Sequence, residues 1–300
     1  MSVVEDECVF FLHTVQSHAL RCTIEALKDV LLDVSIHINK EGLKICCLDY
    51  SRTAIVYLKI DGDKCERYKC EMDMSIGISV SALFKLVKSM SMSDLISLYI
   101  LRTSLKKLRI SIDCRDRCMV IESELNTLDL DDDSIQIPAI DFTTILIMPS
   151  AEFQKNVRDL ANVSDYVTIS TKEGSFSMSA SGDFATQRLT FRERLNGLQF
   201  QAQGDQPIQG TFSLKYLTLF SKSTALSGFV ELYLRQDIPL VLKYSIGSIG
   251  RTFRRIPSSS YYVLFRLFIL IAFCRYAVCA FAQGRRLIKE AGPTISLHRS

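Results

Sequence analysis

The chain has 300 residues, 48% hydrophobic and 23% charged, with only 13 Gly and 6 Pro. That composition fits one large or two medium globular domains and excludes disordered, collagen-like and low-complexity chains. The formal charge of +3 conceals a division: residues 251–300 hold nine basic residues and one acid, Glu290, leaving 27 basic and 32 acidic residues in 1–250. An acidic body of this kind excludes a protein whose outside is wrapped in nucleic acid, so any such contact needs a local basic surface.

In chain order, the opening residues Met1–Glu7 are acidic and carry no secretory signal. The ten cysteines are therefore expected as reduced thiols, in cytosol or nucleus. A short strand, Val9–Thr14, leads into a helix with an apolar stripe at Leu20, Ile24, Leu27 and Leu31. Strands rich in Val, Ile, Tyr and Thr follow at 34–38, 43–48 and 53–60, the first two joined by Lys40-Glu41-Gly42. A second helix spans 81–90, and strands follow at 95–101 and 107–113. The segment Leu125–Ile140 contains an acidic run, Asp129 and Asp131–Asp133, before Ile137-Pro138. It lacks the Gly and Glu of a calcium loop and reads as an extended linker with backbone open to a partner.

The pattern then begins again. A strand at 144–148 leads to a helix with Phe153, Val157 and Leu160, strands at 166–170 and 175–179, a helix at 214–223, and strands at 229–235 and 240–245. Shifted by 134 residues, Ser79, Leu83, Lys88, Ser89, Ser93, Leu98 and Tyr99 fall on Ser213, Leu217, Lys222, Ser223, Ser227, Leu232 and Tyr233. Upstream, Ala26–Asp29 and Lys40-Glu41-Gly42 fall on Asn156–Asp159 and Lys172-Glu173-Gly174 at a similar offset. Two matches in the same order imply a tandem duplication of a strand-rich unit with two helices.

The cations have a place in this pattern. At 100° per residue, Lys85 and Lys88 lie about 200° and 140° from Leu83, Lys155 and Arg158 about 200° and 140° from Phe153, and Lys215 and Lys222 about 160° and 140° from Leu217. Arg21 and Lys28 sit only about 80–100° from their stripe. Equivalent helices in a duplicated chain thus share a basic face, suited to phosphates without reading bases. Catalytic signatures are missing: there is no Walker loop, GxGxxG, GxSxG or HExxH, and the cysteine pairs lack zinc spacing. The chain reads as non-enzymatic, with neither cofactor nor metal.

Glu25–Asp29, Leu48-Asp49, Leu128–Asp131 with Ile137-Pro138, Met148–Phe153, Arg158–Leu160, Ser179–Gly182, Lys215–Leu217 and Asp237–Val241 stand in an order and spacing that resembles the proliferating cell nuclear antigen family, the eukaryotic sliding clamps. The resemblance covers roughly residues 9–250. It implies an α+β chain of two tandem clamp domains, 1–124 and 141–257, joined by a linker at 125–140, with a tail at 258–300. It further implies a homotrimer in the nucleus, helices lining a channel and sheets outside, with duplex DNA in the channel. DNA polymerases, repair factors with clamp-binding peptides, and a clamp loader would be its partners. By the resemblance, Arg21, Lys28, Lys85, Lys88, Lys155, Arg158, Lys215 and Lys222 face DNA. Leu48, Arg52, Ile135, Ile137, Pro138, Ile238 and Pro239 build the peptide groove. Lys107–Asp113 (with Leu108, Ile110 and Ile112) and Thr186–Arg194 (with Leu189 and Phe191) are the edge strands between subunits. Lys172 lies near a regulatory lysine.

The sequence departs from the family at three places. Arg52 stands for a His, Gln136 for a Gly, and Phe253–Pro257 for an aromatic pair followed by Leu-Ala-Pro. Tyr261–Phe281 has the length of a membrane span, which gives a second reading, a clamp-derived protein anchored to a membrane. Its apolar residues contribute about −3 to −7 kcal/mol to insertion and Arg266 and Arg275 oppose with about +5 to +7. The tail is thus expected as a poorly packed, aggregation-prone segment that leaves the groove without its aromatic wall.

Overall fold

A computed structural model describes residues 5–130, 135, 140–172, 175–191, 199–202, 207–246 and 265–271. The first half runs β1 (Cys8–Thr14), α1 (Ser17–Lys28), β2 (Asp33–Asn39), β3 (Gly42–Leu48), β4 (Ala54–Asp61), β5 (Arg67–Cys70), β6 (Met74–Ser79), α2 (Val80–Val87), β7 (Leu95–Leu101), β8 (Lys107–Cys114) and β9 (Met119–Asn126). The second repeats that order: β10 (Thr144–Pro149), α3 (Ser150–Ala161), β11 (Tyr166–Lys172), β12 (Ser175–Ser181), β13 (Thr186–Phe191), β14 (Gln199–Ala202), β15 (Ile208–Ser213), α4 (Leu214–Ser221), β16 (Phe229–Leu234), β17 (Leu240–Ile246) and β18 (Phe265–Ile271). Two tandem halves of one α+β unit result.

The helices pack on one side of the sheets. Leu20, Ile24 and Leu27 of α1, Leu83 and Val87 of α2, Phe153, Val157 and Leu160 of α3, and Leu217 and Phe220 of α4 are all buried. They meet the inward residues of the strands, such as Ile96, Leu98 and Ile100 of β7 and Val230, Leu232 and Leu234 of β16, in one continuous core. Period 3.6 in the helices and period 2 in the strands put these residues on the same interior. The β2–β3 turn needs its glycine: Gly42 has φ +148°, and an added Cβ would lie 1.9 Å from the Ile60 carbonyl oxygen. The Asn39 side chain accepts from the Glu41 and Gly42 amides and closes that turn.

The strands form sheets of five, nine and four. The five-stranded sheet is β5-β1-β7-β8-β9 and the four-stranded sheet is β13-β12-β11-β15. The nine-stranded sheet, β14-β10-β16-β17-β18-β4-β3-β2-β6, is the second half's copy of the five joined to the first half's copy of the four. The joint is the antiparallel pair β18–β4, in register from Phe265↔Ile60 to Ile271↔Ala54. The repeat equates β18 with β9 and β4 with β13, and among the described residues β9 and β13 each pair on one side only.

Two expectations are corrected here. Lys107–Asp113 is not an edge: β8 pairs with β7 on one side and β9 on the other, and Leu108, Ile110 and Ile112 are buried at 1–2% exposure. The edge is β9, which extends to Asn126, into the stretch read as linker. The other concerns the tail, expected as a poorly packed segment. Phe265–Ile271 within it is a strand paired to β17 and β4 along its whole length. Among the described residues no helix is long and apolar enough to cross a membrane. The family-divergent Phe253–Pro257 lies outside the described residues.

A chain ending at Ile246 would leave β17 and β4 as open edges at the joint. Hydrogen exchange should then accelerate at least tenfold at the amides of β4 and β17 that face β18, while amides of β7 and β8 stay protected.

Candidate functional site

The helix layer carries the cations on its solvent side. Lys85, Lys88, Lys155, Arg158, Lys215 and Lys222 are exposed. Of these, Lys85, Lys88, Lys155, Arg158 and Lys215 make no ion pair among the described residues. Lys222 differs: its ammonium lies 2.9 Å from Asp29 at the end of α1 and ties the two halves on the helix side. That hydrogen bond, helped by Lys28, holds the Asp29 carboxyl below the usual carboxylate range. Arg21 and Lys28 are half-buried. Arg21 lies 3.8 Å from Glu25, and Lys28 sits 4.8 Å above the Phe84 ring and 3.3 Å from Asp29. The weaker angular placement of α1 thus corresponds to cations partly committed to their own protein, and five unpaired cations remain toward solvent.

A second cluster lies on the other face of the nine-stranded sheet. Cys46, Ile55 and Val241 are buried there, with Leu48, Tyr57, Ile135, Ile140, Phe142, Tyr233 and Ile238 packed against them. The residues come from β3, β4, β16, β17, the turn between β16 and β17 and the segment after β9, so both halves and the linker meet here. Phe142 and Tyr233 contact edge to face, 5.4 Å between centroids. The Tyr233 hydroxyl donates to Glu231 at 2.6 Å, and Lys243 lies 2.9 Å from the same carboxylate. The linker is pinned by the Leu128 amide on the Gly77 carbonyl at 2.8 Å and by the Cys46 thiol on the Ile135 carbonyl at 3.5 Å. A Cβ at Gly77 would stand 2.4 Å from the Leu128 oxygen, so only glycine admits this approach.

The structure therefore brings Leu48, Ile135 and Ile238 together, with Pro239 buried beside them and Arg52 exposed on the β3–β4 turn. Ile137 and Pro138 lie outside the described residues. Tyr57, Tyr233, Phe142, Ile140 and Val241 were not anticipated. Their signal was available, because Tyr57 and Tyr233 are aromatics at outward positions of alternating strands, where polar residues are the rule. Leu189 and Phe191 are half-buried on the free edge β13, and Lys172 is exposed at the end of β11.

The β3–β4 turn is built around Asp49, 6% exposed. Its carboxylate accepts the amides of Thr53 at 2.6 Å, Ala54 at 2.7 Å and Ser51 at 3.2 Å, and also the Ser51 hydroxyl. The Tyr216 hydroxyl on α4 donates to it at 3.0 Å and lies against the Ser51 hydroxyl that donates to the same carboxylate. Arg52 takes the left-handed conformation, φ 55°. Among the described residues no group of His, Cys, Asp or Glu could hold a metal ion.

Residues 10–135 match the family model "Proliferating cell nuclear antigen, N-terminal domain" and residues 136–258 match "Proliferating cell nuclear antigen, C-terminal domain". The chain is 31% identical over 250 residues to the "Probable DNA polymerase sliding clamp 1" of Paramecium bursaria Chlorella virus 1, covering 82% of this chain and 95% of that protein. It is 27% identical over 236 residues to the "Proliferating cell nuclear antigen" of Chaetomium thermophilum, covering 77% and 91%.

Burial pushes the thiols of Cys47, beneath the second cluster, and Cys65 up to about 12. A raised thiol pKa leaves the unreactive protonated form in place until the pH approaches that value. Iodoacetamide at neutral pH should therefore modify exposed Cys118 and spare Cys47 and Cys65, and peptide mass mapping would read the order.

Proposed function

The chain belongs to the proliferating cell nuclear antigen family and is a DNA polymerase sliding clamp, and from that premise we propose that it works as a closed ring of three copies in the nucleus, in replication and repair. Each copy has domains at 1–124 and 141–257 with the linker at 125–140, β9 running two residues into the linker and β18, at 265–271, completing the second domain's sheet from beyond it. The ring is non-catalytic. It surrounds duplex DNA, is opened by a clamp loader, and holds polymerases through peptides that dock on the Leu48–Ile135–Ile238 cluster.

The observation that carries this reading is the joint between the halves. Within the chain, β18 pairs with β4 and makes nine strands from five and four. The remaining five end in β9 and the remaining four begin with β13, so a second copy supplies what each edge lacks. Such contacts are head to tail and generate a ring when the rotation closes. The internal register also transfers. β17 sets Tyr244 against Leu267, which β4 sets against Leu58; the counterparts are Ile112, Ile121 and Leu189. With Ile121 opposite the other copy's Leu189, Glu122 falls opposite Arg188, opposite charges on the sheet's exposed face.

The channel is read from the helix layer. Lys85, Lys88, Lys155, Arg158 and Lys215, with the more engaged Lys222, Arg21 and Lys28, would face phosphates in an otherwise acidic body. Five unpaired cations per copy give diffuse, salt-sensitive attraction. Processivity then comes from encirclement, and the clamp stays free to slide.

Two experiments test this. Light scattering should give the trimer mass for the native chain; Glu122→Arg or Arg188→Glu alone should shift it toward monomer, and the two together should restore the ring. A trimer unaffected by either single change counts against this register, and a monomeric native chain against the ring. Reversing Lys85, Lys88, Lys155 and Lys215 to Glu should lower polymerase stimulation on primed DNA at least tenfold with the trimer mass unchanged. Full stimulation by that variant would remove the channel assignment.

A further inference from the structure

The groove just described has walls from two halves of the chain: Leu48 from the first, Ile238 and Tyr233 from the second. Its shape therefore depends on what fixes the halves to each other beside Leu48. The β18–β4 ladder joins the halves, and the next residue, Asp49, adds a side-chain contact between them at this end of the groove. Four donors to its carboxylate are local: the amides of Ser51, Thr53 and Ala54 and the Ser51 hydroxyl. These would form in the isolated hairpin. The fifth, the Tyr216 hydroxyl at 3.0 Å, arrives from α4, 167 residues away in sequence.

The Tyr216 ring is itself held in place. It stacks on Phe220 one helical turn on, 6.1 Å between centroids at 29°, and packs against the main core. Its neighbours Lys215 and Leu217 are exposed and buried respectively, so Tyr216 lies on the flank of α4 that faces the first half. The turn it grips presents Tyr50, 87% exposed, and Arg52 in its left-handed conformation at the rim. The turn is further closed by the Asp49 amide on the Ala54 carbonyl and the Arg52 amide on the Asp49 carbonyl, both 2.9 Å.

We propose that Tyr216 is a positioning residue of the partner groove: its hydroxyl latches Asp49 and Ser51, sets Leu48 at a fixed spacing from the Ile238 wall, and holds Tyr50 and Arg52 at the rim. This rests on the groove reading above. A partner peptide lying on the cluster would meet a preorganised wall and lose less entropy on docking. Without the hydroxyl the turn keeps its local bonds and moves as a unit relative to the second half.

Tyr216→Phe removes the hydroxyl and keeps the stacked ring. In the full chain, hydrogen exchange at the Thr53 and Ala54 amides should rise at least fivefold, while amides of α4 and the trimer mass stay unchanged. A fluorescein-labelled synthetic peptide copying the clamp-binding segment of a DNA polymerase should bind about tenfold more weakly. Ser51→Ala, which removes the bridging hydroxyl, should move both readouts the same way and serves if Tyr216→Phe does not fold. Unchanged exchange at Thr53 and Ala54 overturns the latch whatever the peptide does. Raised exchange with unchanged affinity overturns its positioning role. A native chain that does not bind the peptide overturns the groove reading instead, and the exchange result still judges the latch.

Discussion

A sheet edge presents backbone amides and carbonyls that must be paired or left to water, and this structure is organised by how its edges are paired. Each half supplies a row of five strands and a row of four. Within the chain one row of each kind is joined at β18–β4. The ladder runs across all seven residues of β18 on both sides, so the joint is a continuous sheet and not a hinge between two bodies. The two leftover edges, β9 and β13, follow from the same accounting.

That joint sets the positions of everything functional. On one side it lines up four helices, with Lys222 on Asp29 crossing the boundary. On the other it lets Leu48, Val241 and Ile135 meet, three residues that no single half contains. The two crossing contacts differ in weight. An exposed ion pair such as Lys222–Asp29 contributes about 0–1 kcal/mol. A hydrogen bond from a neutral hydroxyl to a buried carboxylate, as at Tyr216–Asp49, contributes about 1.5–3 kcal/mol. The apolar cluster outweighs both, since burying Ile55 and Val241 contributes about 1.5–3 kcal/mol for each side chain before its other members are counted. Cohesion is thus apolar and backbone-based, while the polar contacts choose the geometry.

The tail shows how far a local pattern can mislead. Tyr261–Phe281 has the length and hydropathy of a weak membrane segment, and its arginines point to opposite faces of a helix. A strand with a neighbour on each side also reads as a largely apolar run, and Phe265–Ile271 is paired on both sides. Periodicity cannot separate the two readings, because a fully buried strand has no polar face to alternate. The resemblance put a subunit edge on β8, and local pattern could not correct it. Alternation in Lys107–Cys114 reports one buried face of the sheet; it does not report whether the strand has a neighbour on each side.

What the sequence determined by itself is whatever depends on short range. The duplication, the helices with their apolar stripes, the Lys40-Glu41-Gly42 turn, and the cations on Lys85, Lys88, Lys155, Arg158 and Lys215 were all legible, because side-chain direction follows from helix and strand geometry alone. The family was legible from ordered motifs, and its resemblance named Leu48, Ile135 and Ile238, which share one apolar cluster. Only the tertiary structure decided which strands end a sheet, that Lys222 answers Asp29, that Tyr57, Tyr233 and Phe142 join the apolar cluster, and that Tyr216 reaches Asp49. Those facts are pairings between residues tens to hundreds of positions apart. Nothing in the local periodicity encodes a partner, since which edge and which hydroxyl are satisfied is settled only when the two halves are in contact.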